Sequence, residues 1–494
     1  MRTATYIMAA TVAAATATVA AQGATADGPP KTLSEYRRTL QARPAPWPDY
    51  TVRQYNLRRV WNDDLAADER VASLDVVVHL AGNDEVVVEQ LSMLLGQEKT
   101  PRELHDAVLA LLLRKGTPEV AGHVVRALDN PKLPPDLRDA ILRWLVDHPQ
   151  PEVLARVVQL WADEPPDGAN ERRFVRIVER ISGKRWDQAL LDGINAERFF
   201  ARGSALEVLS ARMDEPVLRR RIVERKPATP AMAALHVFSQ RFDYLPADGN
   251  EFVATTWLYT RNADQIPDAA RLAKQWRRSG GYRFNIRDFH LLSRLARDPT
   301  RKGIRRSQLV VDVGRMLVAR EHVMPSAYAG RPAAPRLRDF PDQVDRLSIA
   351  DLWTLKLVGD MLARPRIQRA LWIVARQDRA DRRSAKGGLI VLESGRAEAK
   401  LFPADIEREQ DDLHYVPSRY AARASRDALA WFAGHFDKLD NVERIAPDAE
   451  EFAAARAGNY RGVILTSLGE GQFTAHYYDC NGEVVSLGIY PFRQ

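Results

Sequence analysis

A chain of 494 residues is too long for one compact core, so two or three domains are expected. Its hydrophobic fraction of 45% and charged fraction of 28% are those of a folded protein. A single cysteine, Cys480, excludes an intrachain disulfide and a metal site built from cysteines, and its Asp-Cys-Asn-Gly context predicts a turn residue.

The first 26 residues differ in composition from the rest. Arg2 precedes an uncharged, Ala- and Thr-rich run from Ile7 to Ala21, and Ala24-Thr25-Ala26 fits a small-x-small cleavage site. This pattern is typical of a secretory signal peptide, so we expect an exported protein, periplasmic or extracellular. The alternative is a disordered Ala/Thr-rich tail. No later stretch is long and apolar enough to predict a membrane span.

Residues 27 to 62 are assigned as a Pro-rich lead-in. Its prolines lie before residue 50 and predict an extended or irregular segment from 27 to about 50, with at most a short helix around residues 33 to 40. From residue 63 onward a unit of two amphipathic segments is repeated. The copies that start at Leu104 and Leu137 are offset by 33 residues, and weaker copies lie on both sides. A fixed period of this size predicts a helical solenoid, in which each unit buries a wide apolar stripe against its neighbours.

Residues 60 to 225 resemble the HEAT-repeat family through these paired segments. The resemblance implies a curved surface that binds another macromolecule, usually a protein, and we therefore expect a protein partner. The alternative is that the helices only support a neighbouring domain, because a short array offers little concave surface.

Residues 226 to 325 stay helical but lose the period, so the helical domain is predicted to span 63 to 325. Residues 271 to 320 hold 14 Lys and Arg against 3 Asp. Such a basic face predicts binding to an anionic envelope surface or glycan, while export argues against nucleic acid. The alternative is a solvated face whose Arg stems cover apolar surface. The candidate binding residues are Arg277, Arg278, Arg301, Lys302, Arg305 and Arg306.

A second Pro-rich segment, residues 326 to 345, predicts a linker, and the pattern of apolar residues changes after it. Residues 346 to 494 predict two helices, a hairpin turning at Ser394-Gly395, a helix from Asp448, and three strands, the last two joined by Asn481-Gly482. The predicted fold class is thus multidomain: a helical solenoid followed by a smaller α/β (α+β) domain with a mainly antiparallel sheet.

The order of elements from Gly387 to Tyr490 resembles the JAB/MPN metalloprotease-like fold. In active members two His of a His-x-His strand end and an Asp hold zinc, and a Glu on an earlier strand activates water. The resemblance places Ala433 and His435 at the two His, Asp448 and Glu451 near a Ser and the Asp, and Glu393 at the Glu.

This resemblance implies metal ligands His435, Asp448 and Glu451, and catalytic residues Glu393, His435 and Glu451. One imidazole where the family has two favours a metal-free relative, because a catalytic zinc takes three protein ligands. His414 and His476 could approach His435 in the fold and complete a site.

Phosphate-binding loops, serine nucleophile elbows and His-Glu-x-x-His are all absent from the sequence. We therefore expect an exported, non-catalytic scaffold protein without a cofactor. Its repeats would bind a macromolecular partner and position a C-terminal recognition domain. The alternative is a zinc-dependent peptidase or amidase in the C-terminal domain.

Overall fold

The computed structural model describes residues 28–494 apart from short gaps. The gaps are 42–46, 82–83, 98, 116–117, 131, 167, 281, 324–339, 382–384 and 406–413. The predicted signal peptide and most of the predicted linker at 326 to 345 therefore lie outside the described residues.

Contacts divide the chain into two compact units. Unit 1 comprises Met1–Asp192 and Phe199–Val208, and unit 2 comprises Gly193–Arg198 and Leu209–Gln494. This division falls earlier in the chain than the Pro-rich segment 326 to 345.

Helices account for most of the first half of the chain. They are α1 (Leu33–Gln41), α2 (Asp49–Val60), α3 (Ala67–Ala81), α4 (Glu85–Met93), α5 (Arg102–Lys115), α6 (Pro118–Ala127), α7 (Pro135–Asp147), α8 (Leu154–Ala162), α9 (Glu171–Ser182), α10 (Trp186–Ile194), α11 (Arg202–Arg212) and α12 (Glu215–Glu224).

The repeated unit is a pair of helices, as the sequence predicts. In unit 1 the first helices stack in order, α3 on α5, α5 on α7 and α7 on α9, and the second helix α4 packs on α6. Leu112 and Leu145, which the 33-residue offset aligns, are both fully buried. The array is a helical solenoid, because each pair buries its apolar stripe against the next pair.

The lead-in is more regular than its proline content predicts. A short helix, α1, lies where it was expected, and a second helix, α2, which was not predicted, follows it within the Pro-rich lead-in. Pro48 immediately precedes α2, so it marks the start of the helix and breaks none of its hydrogen bonds. Val52 and Val60 are buried and anchor α2.

Unit 2 continues with further helices and then a sheet. The helices are α13 (Pro230–Phe242), α14 (Gly249–Arg261), α15 (Ile266–Gly280), α16 (Phe289–Arg297), α17 (Arg306–Val318), α18 (Phe340–Gln343), α19 (Ile349–Leu362), α20 (Pro365–Ala380), α21 (Arg419–Ala424) and α22 (Ala449–Gly458). The strands are β1 (Lys386–Glu393), β2 (Arg396–Phe402), β3 (Ala428–His435), β4 (Gly462–Ser467), β5 (Gln472–Tyr478) and β6 (Val484–Pro491).

The six strands form one sheet in the order β2-β1-β3-β4-β5-β6. Neighbours are antiparallel except β3 and β4, which are parallel and joined through α22. One face, with Phe432 and Val463, packs on α19 and its neighbouring helices, and the other face, with Ile464, packs against α22. The predicted α/β domain with a mainly antiparallel sheet is confirmed.

One hydrophobic core in unit 2 includes residues of the helices before the Pro-rich segment and residues of the sheet. Trp276 of α15, Leu309 of α17, Leu352 of α19 and Phe473 of β5 all belong to it. Helix α17 packs directly on α19, and also contacts β6. The helices from α13 to α17 therefore fold together with the sheet.

We expect Leu145→Ala to destabilise the solenoid by about 2–5 kcal/mol, because it removes a fully buried side chain and leaves a cavity between stacked pairs. The measurement is urea unfolding of the full chain followed by circular dichroism. Val86→Ala, at a side chain that is 61% exposed, is the control and changes stability by less than about 0.5 kcal/mol. Equal effects of the two substitutions would contradict the stacked-repeat packing.

Candidate functional site

A buried guanidinium lies at the centre of unit 2. Arg461 stands between α22 and β4, and its Nε donates to Asp351 Oδ1 at 2.6 Å. Its Nη1 donates to Asp288 Oδ1, also at 2.6 Å. Asp288 directly precedes α16 and Asp351 lies in the first turn of α19. One side chain thus connects two helices to the start of a strand through charge-assisted hydrogen bonds.

The two carboxylates have further donors. The Tyr282 hydroxyl donates to Asp288 Oδ2 at 2.6 Å, and the Tyr477 hydroxyl donates to Asp351 Oδ1 at 2.8 Å. Asp351 Oδ2 accepts from both the backbone N–H and the hydroxyl of Ser348, at 2.7 and 2.5 Å. All four carboxylate oxygens are therefore hydrogen-bonded, as buried charges require.

The pKa values of the two aspartates shift in opposite directions, because Asp351 has more hydrogen-bond donors than Asp288. Burial raises the pKa of Asp288, and Arg461 and Tyr282 offset only part of that rise. Burial also acts on Asp351, but Arg461, Ser348 and Tyr477 outweigh it and hold the pKa of this carboxyl below its usual range. Burial lowers the pKa of Arg461, but the two carboxylates raise it well above its ordinary value, so the guanidinium stays charged.

A second network lies beside the first. Glu251 Oε2 accepts from the Tyr244 hydroxyl at 2.7 Å and from the Ala247 N–H at 2.8 Å, while Oε1 accepts from Asn459 Nδ2 at 2.7 Å. Asn459 ends α22 in the left-handed region, with φ of 48°, and its Oδ1 accepts from Asn285 Nδ2 at 2.8 Å. Two residues of the loop before β4, Asn459 and Arg461, are therefore hydrogen-bonded to side chains that precede the sheet in the chain.

Both networks form the floor of a cavity of about 870 Å³ in unit 2. Seven carboxylates and four guanidinium groups line it, a net charge of −3. The carboxylates belong to Glu215, Asp243, Glu251, Asp288, Asp345, Asp351 and Asp479, and the guanidinium groups to Arg283, Arg306, Arg346 and Arg461. Its volume is in the range of sites for small molecules or peptide side chains.

The turn between β5 and β6 supplies one wall. Asp479 is buried, and its carboxylate accepts from the N–H groups of Asn481 and Glu483 at 2.9 Å and from Asn481 Nδ2 at 3.0 Å. Cys480 is half-buried with Sγ 3.4 Å from Asn459 Oδ1. Burial raises the pKa of the Cys480 thiol, so it stays protonated near neutral pH.

The structure brings two of the four residues singled out by the JAB/MPN resemblance together. His435, at the end of β3, and Glu451, in the first turn of α22, are both largely buried, and His435 Nε2 lies 3.3 Å from Glu451 Oε1. His435 Nδ1 donates to the Arg444 carbonyl at 2.7 Å. Nε2 thus faces a carboxylate oxygen, and among the described residues neither of these two atoms has a hydrogen-bond partner.

Of the other two residues, Asp448 adjoins this pair through reciprocal capping bonds with Glu451, at 2.9 and 3.0 Å, whereas Glu393 lies apart. Asp448 caps α22 and is bonded to His414 Nε2 at 2.6 Å. Burial raises the pKa of Asp448, but the hydrogen bonds from backbone N–H groups and from this ring outweigh burial, so the pKa is lowered. Glu393 is exposed, forms an ion pair with Lys400, and stands at the far end of β1 from His435. Within the described residues, no three His, Cys, Asp or Glu side chains form a group that could hold a metal ion.

His476 does not join His435 either, because β4 separates their strands. It lies on β5 opposite Ile464 and is fully buried, and neither ring nitrogen has a hydrogen-bond partner among the residues that the structure describes. Burial, with a smaller effect of His322, lowers the pKa of His476 to about 3, so the ring is neutral near pH 7.

The six basic residues predicted as a binding face have different environments. Three are bonded within the fold: Arg277 to the Phe242 carbonyl and Asp243, Arg301 to the Gly395 carbonyl, and Arg306 to the Val344 and Leu347 carbonyls. The other three, Arg278, Lys302 and Arg305, are exposed.

Sequence reasoning missed Arg461 and its partners. Its carboxylates lie 110 and 173 residues away in the chain, so no local spacing marks the network. Asp351 also forms a capping box with Ser348 at the start of α19, through reciprocal hydrogen bonds.

Comparison with known proteins adds no family assignment, since no family model, curated protein or solved structure matches this chain. None of the described helices is long and apolar enough to cross a membrane.

We expect Arg461→Met to destabilise unit 2 by about 3–5 kcal/mol at pH 7, because it leaves two buried carboxylates without their cation. Chemical unfolding of the full chain measures the change, and Arg278→Met, at an exposed arginine, is the matched control. A loss no greater than that of the control would show that the buried ion network does not hold the unit together.

A pH titration tests the environment of His476. Its folded pKa, about 3, lies below its unfolded value of about 6.5, so the unfolded state binds more protons between these values. Stability contributed by the neutral ring is therefore fully present above pH 6.5 and falls by about 1.4 kcal/mol per pH unit below it. His476→Leu should remove this slope between pH 6.5 and 4.5 in unfolding experiments; an unchanged slope would contradict the buried, unpartnered ring.

Proposed function

We propose that this chain is an exported, non-catalytic binding protein. HEAT-like helical repeats engage a macromolecular partner, and the α/β domain, with the helices that share its core, is a recognition module. The signal-peptide pattern of residues 1 to 26 supports export, and the stacked helix pairs of unit 1 support partner binding. Repeat arrays commonly use such stacked surfaces to bind other macromolecules.

The observation that carries the proposal is the cavity floor. Glu251, Asp288 and Asp351 each accept at least two hydrogen bonds from fixed donors, and Arg461 is shared by two of them. A general base or nucleophile has to be able to exchange a proton or attack a substrate. Groups that are bonded to one another in this way instead hold a cavity in one shape, which favours selective binding.

Partner capture with the full-length chain tests the role of the repeats. Arg126 on α6 and Arg143 on α7 are exposed and represent the second and first helices of the repeats. We expect wild-type protein to retain a partner from an envelope extract, and either Arg126→Glu or Arg143→Glu to reduce its recovery about tenfold, because charge reversal in a contact surface strongly weakens binding.

Lys302→Glu, an equivalent charge reversal at an exposed residue of unit 2, is the control and should leave recovery unchanged. Recovery of no partner, or equal recovery by all four proteins, would contradict binding through the repeats.

A second candidate is a zinc-dependent peptidase or amidase with a JAB/MPN-like domain. The specific observation in its favour is the buried pair of His435 and Glu451, whose facing Nε2 and Oε1 atoms have no hydrogen-bond donor in the described part of the chain. The pair offers two of the three protein ligands that a catalytic zinc takes. The residues of the described chain thus do not complete such a site, and we derive no reaction from them.

Metal analysis separates the two candidates. Under the binding proposal, protein purified without chelators and then incubated with zinc and desalted contains no stoichiometric zinc, because two ligands hold the ion weakly. His435→Ala is the matched variant. Stoichiometric zinc in the wild type that is lost in His435→Ala would favour the hydrolase over the binding protein.

A further inference from the structure

The charge of the cavity in unit 2 is opposite to that of the segment that contributes much of its wall. Residues 271 to 320 carry 14 cationic and 3 acidic side chains, yet the groups that line the cavity sum to −3. Most of the cationic side chains of this segment lie elsewhere, and only Arg283 and Arg306 line the cavity. The net charge of the cavity lining is therefore opposite in sign to that of residues 271 to 320.

Three of the four arginines that line the cavity are bonded to other groups, whereas the fourth, Arg283, is exposed and lies 3.9 Å from Glu215. Arg461 is bonded to Asp288 and Asp351, and Arg306 donates to two backbone carbonyls. Arg346 forms an ion pair with Glu483 at 3.1 Å. Carboxylates therefore outnumber guanidinium groups in the lining by seven to four, which disfavours anions.

Aromatic rings accompany the carboxylates. Tyr244, Tyr282, Phe284 and Tyr460 line the same cavity. Within the described chain the Tyr460 hydroxyl has no hydrogen bond, and burial raises the pKa of Tyr460 to about 12, so this hydroxyl remains a donor and acceptor. Aromatic faces combined with carboxylates are the surroundings in which proteins bind ammonium and guanidinium groups.

One carboxylate at the cavity is available for a ligand. Asp345 is exposed and has no ion pair or hydrogen bond to any residue that the structure describes. Asp342, three residues earlier on α18, is equally exposed but does not line the cavity. The two aspartates therefore form a matched pair, one at the cavity and one outside it.

We propose that this cavity binds the cationic side chain of a basic peptide, an arginine or a lysine, with the charged group near Asp345 and Tyr460. The volume of about 870 Å³ exceeds one side chain and leaves room for the residues that flank it. This inference rests on the proposed function, because it names the ligand class of the recognition module.

Isothermal titration of the full-length chain with a capped Gly-Arg-Gly peptide tests the proposal. The same peptide with citrulline in place of arginine has nearly the same shape and no charge. We expect the arginine peptide to bind with a Kd of about 1 mM, and the citrulline peptide at least about tenfold more weakly. Free agmatine is a third arm: binding as tight as that of the peptide would point to a small amine as the ligand and overturn the peptide assignment.

The variants locate the site. We expect Asp345→Asn and Tyr460→Phe each to weaken binding of the arginine peptide about three- to tenfold, and Asp342→Asn to leave it unchanged. Equal binding of arginine and citrulline peptides, no binding of either by protein with an unchanged circular dichroism spectrum, or equal effects of Asp342→Asn and Asp345→Asn would overturn the proposal.

Failure of this inference is distinguishable from failure of the proposed function. Partner capture by the repeats depends on Arg126 or Arg143 in unit 1, whereas peptide titration depends on Asp345 and Tyr460. If the partner is still captured but the peptide does not bind, only the proposed ligand class is wrong. If the partner is not captured, the proposed function itself is wrong.

Discussion

The buried guanidinium of Arg461 is the constraint on which unit 2 depends. It is bonded to Asp288 before α16 and to Asp351 in α19, and it stands at the start of β4. Two carboxylates and one guanidinium are stable in a low-dielectric interior only if their geometry is maintained and the remaining oxygens are hydrogen-bonded. Tyr282, Ser348 and Tyr477 provide those bonds, so the relative positions of helices and sheet are fixed by electrostatic as well as apolar contacts.

The cavity follows from this arrangement. Because the floor is built from groups bonded to one another, its shape does not depend on a ligand to order it, which is the preorganisation that binding sites need. The hydrogen bond from Asn459 to Glu251 is a second such contact, between the loop before β4 and helix α14. The excess of carboxylates in its lining is the basis on which we propose a cationic ligand.

The sequence predicts features that depend on local spacing. The 33-residue offset between Leu104 and Leu137 identifies the solenoid, and Asn481-Gly482 identifies a hairpin, because stacking and turn formation both involve neighbouring residues. Helix α2 was not predicted, although Pro48, which immediately precedes it, is compatible with a helix start. The Arg461 network was missed because its partners are distant in sequence, and proline content near residue 330 gives no information on which helices pack with the sheet.

Native-state hydrogen exchange of the full-length chain tests the central claim most directly, namely that the helices from α13 to α17 and the sheet are one cooperative unit joined by Arg461. Slowly exchanging amides of α16, α19 and β4 should share one opening free energy, and Arg461→Met should lower it equally in all three. Separate opening free energies for the helices and the strands, with only β4 responding to the substitution, would contradict the account.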